Sequence, residues 1–331
     1  MGSDKRERHR IYALNLRYMT MKKITLLITT YNRKDRLCQM LKSIERQGHY
    51  DEYEMVICDN HSDYNVENYV SSNFNNEFVS NIKFNTWRFN TGQSTNMAIA
   101  FLLVETKWCW YLSDDDEITE GALEHVLKDV EVYPNVAAIK HSLQGVFVHN
   151  DRKLCNTTDL VDYYKGKNKG ELIFLSMVYN LEILKPWLGL MTMYSYTYLS
   201  FLVPVIQALT NNIPILLSSF PAYKYKINND GWSGTPERNL NTLLGIRTFY
   251  DVPLKLTRKE RAELDKTICF LCNPTKLLTC IFAIKEDDVR RRYFWQLKKY
   301  CLITFKQKLF YGLAYFLFET FKINILKLKA K

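Results

Sequence analysis

The chain has 331 residues and a formal net charge of +10, with 47% apolar and 24% charged side chains. These proportions are ordinary for a folded protein and exclude wholesale disorder, while only 12 Gly and 8 Pro exclude collagen-like and proline-rich architectures. The length fits one large α/β domain with an appendage, or two modest domains.

The positive charge is concentrated at the two ends of the chain. Residues 1–23 carry a net charge of +5 and residues 285–331 carry +8, so residues 24–284 carry −3. Basic ends of this kind favour anionic surfaces, either a membrane or a nucleic acid. The eight cysteines form no dense framework, and the lone Cys269-x-x-Cys272 lies in an apolar helical run. We therefore expect buried thiols in a reduced, cytosolic setting.

From Ile24 onward, strand patterns and helix patterns alternate along the chain. Residues 24–30 form a β-branched run typical of a strand buried on both faces, and residues 33–47 place apolar side chains on one helical face. Further strands are predicted at 53–58, 82–87, 108–112, 137–143 and 213–218, and further helices at 91–105, after a cap at Thr119, at 194–209 and from about 236 onward. This alternation predicts an α/β fold with a mostly parallel sheet, whose ligands bind at the carboxyl ends of the strands.

The loop after the fourth predicted strand is the most acidic segment of the chain. It reads Ser113-Asp114-Asp115-Asp116-Glu117. Adjacent carboxylates repel one another unless a cation neutralises them, and oxygen ligands suit Mg²⁺ or Mn²⁺. A solvated acidic turn is the alternative, but the position at the carboxyl end of a strand favours a metal site.

The loops after the first two strands are also polar. The first, Thr29-Thr30-Tyr31-Asn32-Arg33, offers a ring that can stack on a base, and Arg33 opens a helix whose N-terminus favours phosphate. The second, Asp59-Asn60-His61-Ser62-Asp63, offers a carboxylate that can accept hydrogen bonds from a base. An Asx turn is the alternative for that aspartate.

These three loops, in this order and with Asn90-x-Gly92 opening the intervening helix, resemble the family 2 glycosyltransferases of the GT-A fold. The resemblance covers residues 22–140 well and extends loosely to 235; the Ser-Asp-Asp-Asp run is similar to that of bacterial abequosyltransferase-like enzymes. It implies a Rossmann-like sheet flanked by helices. It also implies metal-dependent, inverting transfer from a nucleotide sugar to a saccharide or lipid-linked saccharide, in the synthesis of a bacterial O-antigen, capsule or lipooligosaccharide.

The same resemblance implies roles for individual residues. Asp115 matches the metal-binding acid, and Ser113 stands where the family usually has its first Asp, so Asp114 or Ser113 itself would contact the ribose. A UDP-sugar is the favoured donor, with Mn²⁺ or Mg²⁺ held by Asp115 and Asp116. The expected nucleotide-sugar residues are Thr29, Tyr31, Asn32, Arg33, Asp59, Asn60, Asn90, Gly92, Asp114 and Asp115.

Inversion also requires a general base near the acceptor hydroxyl. The Glu-Asp pair that the family commonly supplies does not stand at the expected place in this sequence. Asp230, in a Gly- and Asn-rich loop with Trp232, is the first candidate for the base. Glu182 and Asp116 are the weaker candidates.

The expected organisation is an extension at 1–21, a GT-A domain at 22–235 and a helical region at 236–331. Within the GT-A domain, residues 22–140 are expected to bind the nucleotide and residues 141–235 the acceptor.

The C-terminal region interleaves basic and aromatic residues. Its longest apolar run, Leu309–Phe318, has ten residues, whereas a spanning helix needs about twenty. Residues 290–331 are therefore predicted to lie on an anionic membrane surface, which would make the protein cytoplasmic and peripheral to the inner face of the cell membrane. Simple packing of this region on the domain is the alternative.

Three other functions are alternatives to glycosyl transfer. Nucleic-acid binding is disfavoured because the sheet-forming region is net negative. A sugar nucleotidyltransferase would need a Gly-rich, basic loop after the first strand, and residues 29–33 contain no glycine. A catalytically inactive GT-A module that only binds glycan stays open, because no general base is evident.

Overall fold

The structure is a computed structural model. It describes residues 22–144, 150–165, 176–197, 199–224, 250–272, 274–300 and 304–321, together with 245, 248 and 302. The chain forms two compact units. Unit 1 comprises residues up to Arg152 with Leu175–Lys185 and Leu216–Tyr225; unit 2 comprises Lys153–Phe174, Pro186–Ile215 and the residues from Lys226 onward.

A mixed sheet forms the centre of unit 1. Its strands are β1 (Ile24–Thr30), β2 (Tyr53–Asp59), β3 (Ile82–Thr86), β4 (Trp108–Ser113), β5 (Glu117–Ile118), β6 (Ala138–Gln144), β7 (Arg152–Leu154), β8 (Met177–Asn180) and β9 (Ile215–Lys224). The order is β3-β2-β1-β4-β8-β6-β9-β5, and the short β7 lies off this path. The first four strands in this order are parallel, β8 runs antiparallel to both of its neighbours, and β6 is parallel to β9.

The strands predicted up to residue 143 lie within one residue of their expected bounds, because their side chains suit burial on both faces, whereas the strand predicted at 213–218 begins at Ile215 and extends to Lys224. Ile24, Leu26, Leu27 and Ile28 of β1 are all fully buried. The register of β1 aligns its last two residues with the ends of both neighbours: Thr30 pairs with Asp59 of β2 and Thr29 with Ser113 of β4. The three polar loops therefore leave the sheet at a common edge.

Helices cover the sheet of unit 1. They are α1 (Lys34–Glu45), α2 (Val66–Asn73), α3 (Asn76–Ser80), α4 (Gln93–Ala100) and α5 (Ala122–Val132), and α7 (Leu181–Leu184) follows β8. The face of α1 that carries Leu37, Leu41 and Ile44 is buried, as its periodicity predicts. The α/β expectation of a sheet flanked by helices is confirmed.

Two local predictions are wrong. Thr119 does not cap α5: Gly121 stands at the N-cap, and the Thr119 hydroxyl donates instead to the Pro221 carbonyl at 2.7 Å. The segment predicted as one helix at 194–209 is divided into a 3₁₀ turn at Ser195–Thr197 and a helix that begins only at Leu202.

The described part of unit 2 is largely helical. Its helices are α6 (Thr157–Lys165), α8 (Leu188–Met193), α9 (Leu202–Thr210), α10 (Arg258–Cys272), α11 (Pro274–Phe282), α12 (Asp287–Tyr300) and α13 (Phe305–Phe321). The inner face of α13 packs on α12 through Phe294 and Tyr315, whose rings stack at 3.8 Å. No helix in the described segments combines the length and apolar content that crossing a bilayer requires.

Candidate active site

The candidate site lies where β1, β2 and β4 end side by side. Polar side chains are buried there at the ends of apolar strands, and they need hydrogen-bond partners because burying an unpaired polar group is costly. Thr29 and Tyr111 are hydrogen-bonded through their hydroxyls at 2.6 Å. Thr30 Oγ1 donates to Asp114 Oδ2 at 2.8 Å. The end of β1 is thereby fastened to the acidic loop after β4.

Arg33 ties the acidic loop to the start of α1. One guanidinium nitrogen lies 2.9 Å from Asp114 Oδ1 and 2.9 Å from Asp115 Oδ2. Arg36, one turn further along α1, lies 3.5 Å from the same oxygen of Asp115. The Ser113 hydroxyl is hydrogen-bonded to the other carboxylate oxygen of Asp115. Two arginines therefore compensate the charge of Asp115.

Even with these partners, the ionised forms of Asp114 and Asp116 are disfavoured. Burial, with the nearby charge of Asp115, raises the pKa of Asp114 to about 6, although Arg33 and Thr30 act in the opposite direction. Burial and the charge of Asp115 likewise raise the pKa of Asp116 to about 7. Both carboxylates would be stabilised in their ionised form by an additional positive charge.

Asp116 interacts with Ser176, which immediately precedes β8, and with Lys140 on β6. Ser176 Oγ donates to Asp116 Oδ2 at 3.4 Å, and the charge of Lys140 lowers the pKa of Asp116 against the effect of burial. Lys140 is itself buried, with its ammonium donating to the Ser176 carbonyl at 2.9 Å and lying 5.6 Å from the centre of the Tyr223 ring.

The loops after β1 and β2 hold each other in place. The Asn32 amide donates to Asp63 Oδ2 and its carbonyl oxygen accepts from the Asp63 backbone N–H, both at 2.8 Å. Asp59 Oδ1 accepts from the backbone N–H and the hydroxyl of Ser62, so this buried aspartate is hydrogen-bonded within its own loop. Tyr31 is 42% exposed beside them, which leaves its ring accessible to a ligand.

Asn60 connects the end of β2 to the loop before α4. Its carbonyl oxygen accepts from the backbone N–H and the hydroxyl of Thr91, both at 2.9 Å, and its amide donates to Asn90 Oδ1 at 2.8 Å. The same Asn90 oxygen accepts from the Gly92 N–H. Gly92 has a φ of +80°, a conformation that side chains with a Cβ rarely adopt, so a glycine is required there.

The structure thus brings most of the predicted site residues to one edge, but not all of the candidate bases. Glu182 follows β8 beside the amino end of β4, opposite the acidic loop, where it is 68% exposed and lies 3.5 Å from Lys107. Asp230 and Trp232 lie outside the described residues. Arg36 and Lys140 were not singled out from the sequence; Arg36 could have been, since it stands three residues after Arg33 on the same helical face.

The donor set of this edge fits a divalent cation. Asp115 and Asp116 offer carboxylate oxygens, which Mg²⁺ and Mn²⁺ prefer. Burial is the main cause of the raised pKa of Asp116, and a cation bound nearby would favour its ionised form. Elsewhere among the described residues, the ligating atoms of His125, Asp129 and His141 lie within 4.8 Å of one another and could hold a metal ion.

The chain was compared with known families and proteins. The profile described as Glycosyl transferase family 2 matches residues 25–209, more than half of the chain. None of the curated proteins matches it.

Among solved structures, the chain is similar to S. aureus TarS 1–349 in complex with UDP-GlcNAc, with 14% identity and a TM-score of 0.55 over 85% of this chain and 80% of that one. It is also similar to the mannosyltransferase PcManGT from Pyrobaculum calidifontis in complex with GDP-Man and Mn²⁺, with 11% identity and a TM-score of 0.55 over 91% of this chain and 81% of that one. At these identities the similarity is one of fold.

Proposed function

Because the chain belongs to glycosyl transferase family 2 and is a glycosyltransferase, we propose that it moves a sugar, with inversion, from a nucleoside diphosphate sugar to a hydroxyl of a saccharide or lipid-linked saccharide. Its fold is the GT-A fold. The observation that carries the proposal is the network joining Arg33 to Asp114 and Asp115 where three parallel strands end.

The loops after β1 and β2 are proposed to bind the nucleoside. Tyr31 has an exposed ring that can stack on the base, and Asn32, Asp59 and Asn60 hold the surrounding backbone in a fixed shape. Thr29, Asn90 and Gly92 would line the same pocket. A UDP-sugar is our favoured donor; TarS with UDP-GlcNAc supports it by analogy of fold, while the GDP-Man neighbour supports GDP as the alternative.

The acidic loop is proposed to receive the diphosphate. Asp115 and Asp116 would hold Mn²⁺ or Mg²⁺, which supplies positive charge to the diphosphate as it leaves. Asp114, fixed by Thr30 and Arg33, would contact the ribose in place of the aspartate that Ser113 replaces. Arg33 can turn from the carboxylates to the diphosphate once a cation has taken over their charge.

The acceptor hydroxyl must lose a proton as the new bond forms. Asp230 is the first proposed base, in the acceptor half expected at 141–235. Asp116 is the second: its pKa of about 7 suits proton transfer near neutral pH, but it cannot both bind the metal and act as the base. Glu182 is the weakest candidate, because it lies at the other end of β4 from the acidic loop.

The acceptor is proposed to be lipid-linked, in the synthesis of a bacterial surface polysaccharide, with abequosyltransferase-like enzymes as the nearest subgroup by motif. Support comes from α13, which carries a row of exposed apolar side chains opposite its packed face. They follow one another at helical spacing: Phe305 (80% exposed), Leu309 (63%), Leu313 (53%) and Phe316 (57%). We refer to these four residues as the apolar stripe. An exposed stripe of this kind suits insertion into the headgroup region of a bilayer.

A basic cavity in the same unit supports an anionic surface as the partner. Its volume is about 470 Å³, and it is lined by Trp295, Gln296, Lys298, Lys299, Tyr300 and Lys308. Trp295 is 65% exposed, and the Lys298 ammonium lies 4.9 Å from the centre of its ring. Three lysines beside an exposed tryptophan provide the charge and the amphipathic ring that anionic headgroups favour.

The donor is best identified by thermal unfolding of the full chain with UDP, GDP, CDP, dTDP and their sugars, with and without Mn²⁺. A ligand that binds only the folded protein raises the melting temperature by mass action, so the true donor should give the largest rise. Asp115→Asn should remove the Mn²⁺-dependent part of that rise and reduce transfer at least 100-fold, a loss of about 3 kcal/mol of transition-state stabilisation.

Asp51→Asn is the matched control, because Asp51 is an exposed aspartate just before the amino end of β2. It should behave like the unmodified protein. Normal metal-dependent turnover in Asp115→Asn would remove the proposed metal role, and the absence of any nucleotide response would remove the donor site.

A further inference from the structure

A group of side chains that could hold a metal ion lies in unit 1, outside the acidic loop. It consists of His125 and Asp129 on α5 and His141 on β6, and their ligating atoms lie within 4.8 Å of one another. His125 and Asp129 are four residues apart, so both point from the same face of the helix. The transfer reaction proposed above uses none of the three.

Both histidines of the group contact a single carboxylate oxygen of Asp129. Asp129 Oδ2 lies 2.9 Å from His141 Nε2 and 3.5 Å from His125 Nε2. The Ser218 hydroxyl on β9 donates to the same oxygen at 3.4 Å. Two ligands of a tetrahedral zinc ion, each about 2.0–2.2 Å from the metal, are roughly 3.3–3.5 Å apart. The observed separations need only small side-chain movements to reach that spacing.

The three side chains of the cluster differ in how deeply they are buried. The His141 side chain is fully buried, that of Asp129 is 11% exposed and that of His125 is 34% exposed. His125 also stacks on Phe220 with ring centres 4.0 Å apart, which fixes the plane of its imidazole. An ion could therefore enter at the partly exposed His125 and reach the buried pair formed by Asp129 and His141.

His141 is the most deeply buried member of the cluster, with a fully buried side chain on β6. Its Nε2 lies against Asp129, and the two groups are held together in the interior without rearrangement of the backbone.

We propose that His125, Asp129 and His141 bind a zinc ion, with one nitrogen from each imidazole and the Asp129 carboxylate as ligands and water completing the shell. Two imidazoles with one carboxylate favour Zn²⁺ over Mg²⁺ and Mn²⁺, which prefer oxygen ligands only. The ion links α5 to β6 and stabilises the folded state of unit 1. This site is independent of the proposed transfer reaction.

Calorimetric titration of the full chain with Zn²⁺ tests the proposal. The protein is prepared without a polyhistidine tag, stripped with a chelator and titrated in excess Mg²⁺, so that the acidic loop does not compete for zinc. We expect one equivalent of Zn²⁺ per chain and a rise in the melting temperature on binding.

His125→Gln is the informative variant, because its partly exposed side chain can be replaced without opening the core. It should weaken zinc binding at least about tenfold while leaving the melting temperature of the metal-free protein nearly unchanged. His49→Gln is the matched control, since His49 is a surface histidine that contacts only one carboxylate, Glu52, at 3.0 Å among its described ion pairs. It should bind zinc like the unmodified protein.

Asp115→Asn separates this site from the transfer reaction. It should retain the zinc equivalent even if it loses transfer, so the two proposals fail independently. Wild-type protein that binds no zinc, or His125→Gln that binds it as tightly as wild type, would overturn the proposal.

Discussion

At the scale of single residues, the fold buries the neighbouring carboxylates of the acidic loop although their negative charges repel one another. Arg33 contacts both Asp114 and Asp115, yet burial still keeps the pKa of Asp114 near 6 and that of Asp116 near 7. A cation bound at the proposed metal site would relieve this repulsion, which already exists in the folded protein.

The same imbalance makes stability depend on pH. The pKa of Asp116 is about 7 in the folded protein and 3.8 without burial, so the folded state binds more protons between these values. The free energy of unfolding should therefore fall as the pH rises from 5 to 8, with Asp116 contributing on the order of 2 kcal/mol. Asp116→Asn should make this fall smaller, as measured by denaturant unfolding at both pH values without divalent cations.

The exposed Asp51→Asn serves again as the control and should keep the full pH dependence. Added Mn²⁺ should flatten the dependence in the unmodified protein, because it favours the ionised carboxylates. An equal fall in Asp116→Asn and wild type would show that Asp116 is not the group responsible.

At the scale of elements, the site depends on the register of three strands and on the loops that leave them. Asn60 connects the loop after β2 to the loop between β3 and α4: its side chain is hydrogen-bonded to Asn90 and to both donors of Thr91 and is only 3% exposed. Loss of one such side chain loosens both loops at once.

Asn60→Ala should accordingly lower the free energy of unfolding by about 1–3 kcal/mol, because it removes the three hydrogen bonds that this buried side chain makes to Asn90 and Thr91. It should also weaken nucleotide binding. Denaturant unfolding measures the first effect, and thermal shift with the identified donor the second.

Asn73→Ala is the comparison variant: Asn73 is exposed and its amide donates to the Tyr69 carbonyl within α2. It should cost well under 1 kcal/mol. A loss of stability in Asn60→Ala no larger than in Asn73→Ala would contradict the connecting role.

The strands and loops around the site were predictable because their signals are local. A β-branched run such as Ile24–Thr30 followed by a polar loop marks the end of a buried strand. By contrast, β8 was not predicted: it has four residues within a longer apolar stretch, and its antiparallel pairing with β4 is set by contacts distant in sequence. Thr119 failed as a cap for the same reason, since the Pro221 carbonyl competes for its hydroxyl.

The roles of the site residues were likewise predictable where they depend on local sequence and not where they depend on contacts distant in sequence. The sequence placed Arg33 at a helix start, where it would face phosphate, but its ion pairs join it to acids more than 80 residues further along the chain. No local pattern encodes that distance. His125 and Asp129 share a helical face in the sequence, yet only the fold adds His141 to them.

At the scale of the whole molecule, the apolar stripe distinguishes membrane binding from simple packing. Replacing both Leu309 and Leu313 with Glu should abolish co-sedimentation with vesicles of anionic lipid, because two charges cannot enter the apolar part of the interface. Binding by the unmodified protein should also weaken as salt is added, since the lysines of the basic cavity contribute by charge.

Leu102→Glu is the control for that experiment, as Leu102 is 70% exposed and lies in unit 1. It should bind vesicles like the unmodified protein. Undiminished sedimentation of the double variant would argue that the stripe does not enter the bilayer.

The order of strands in the sheet has a consequence for how the protein is made. A ribosome releases β4 and β6 before β8, the strand that separates them, and β9 emerges last. Until residue 180 has cleared the exit tunnel, the growing polypeptide exposes a bare edge along β4, and β6 lacks its partner β9 until residue 224 has followed; both edges invite pairing with other nascent chains. An expression fragment that stops near residue 144 keeps every loop of the nucleotide pocket and yet lacks the two strands that close the sheet, so fragments for biochemical work should extend through β9.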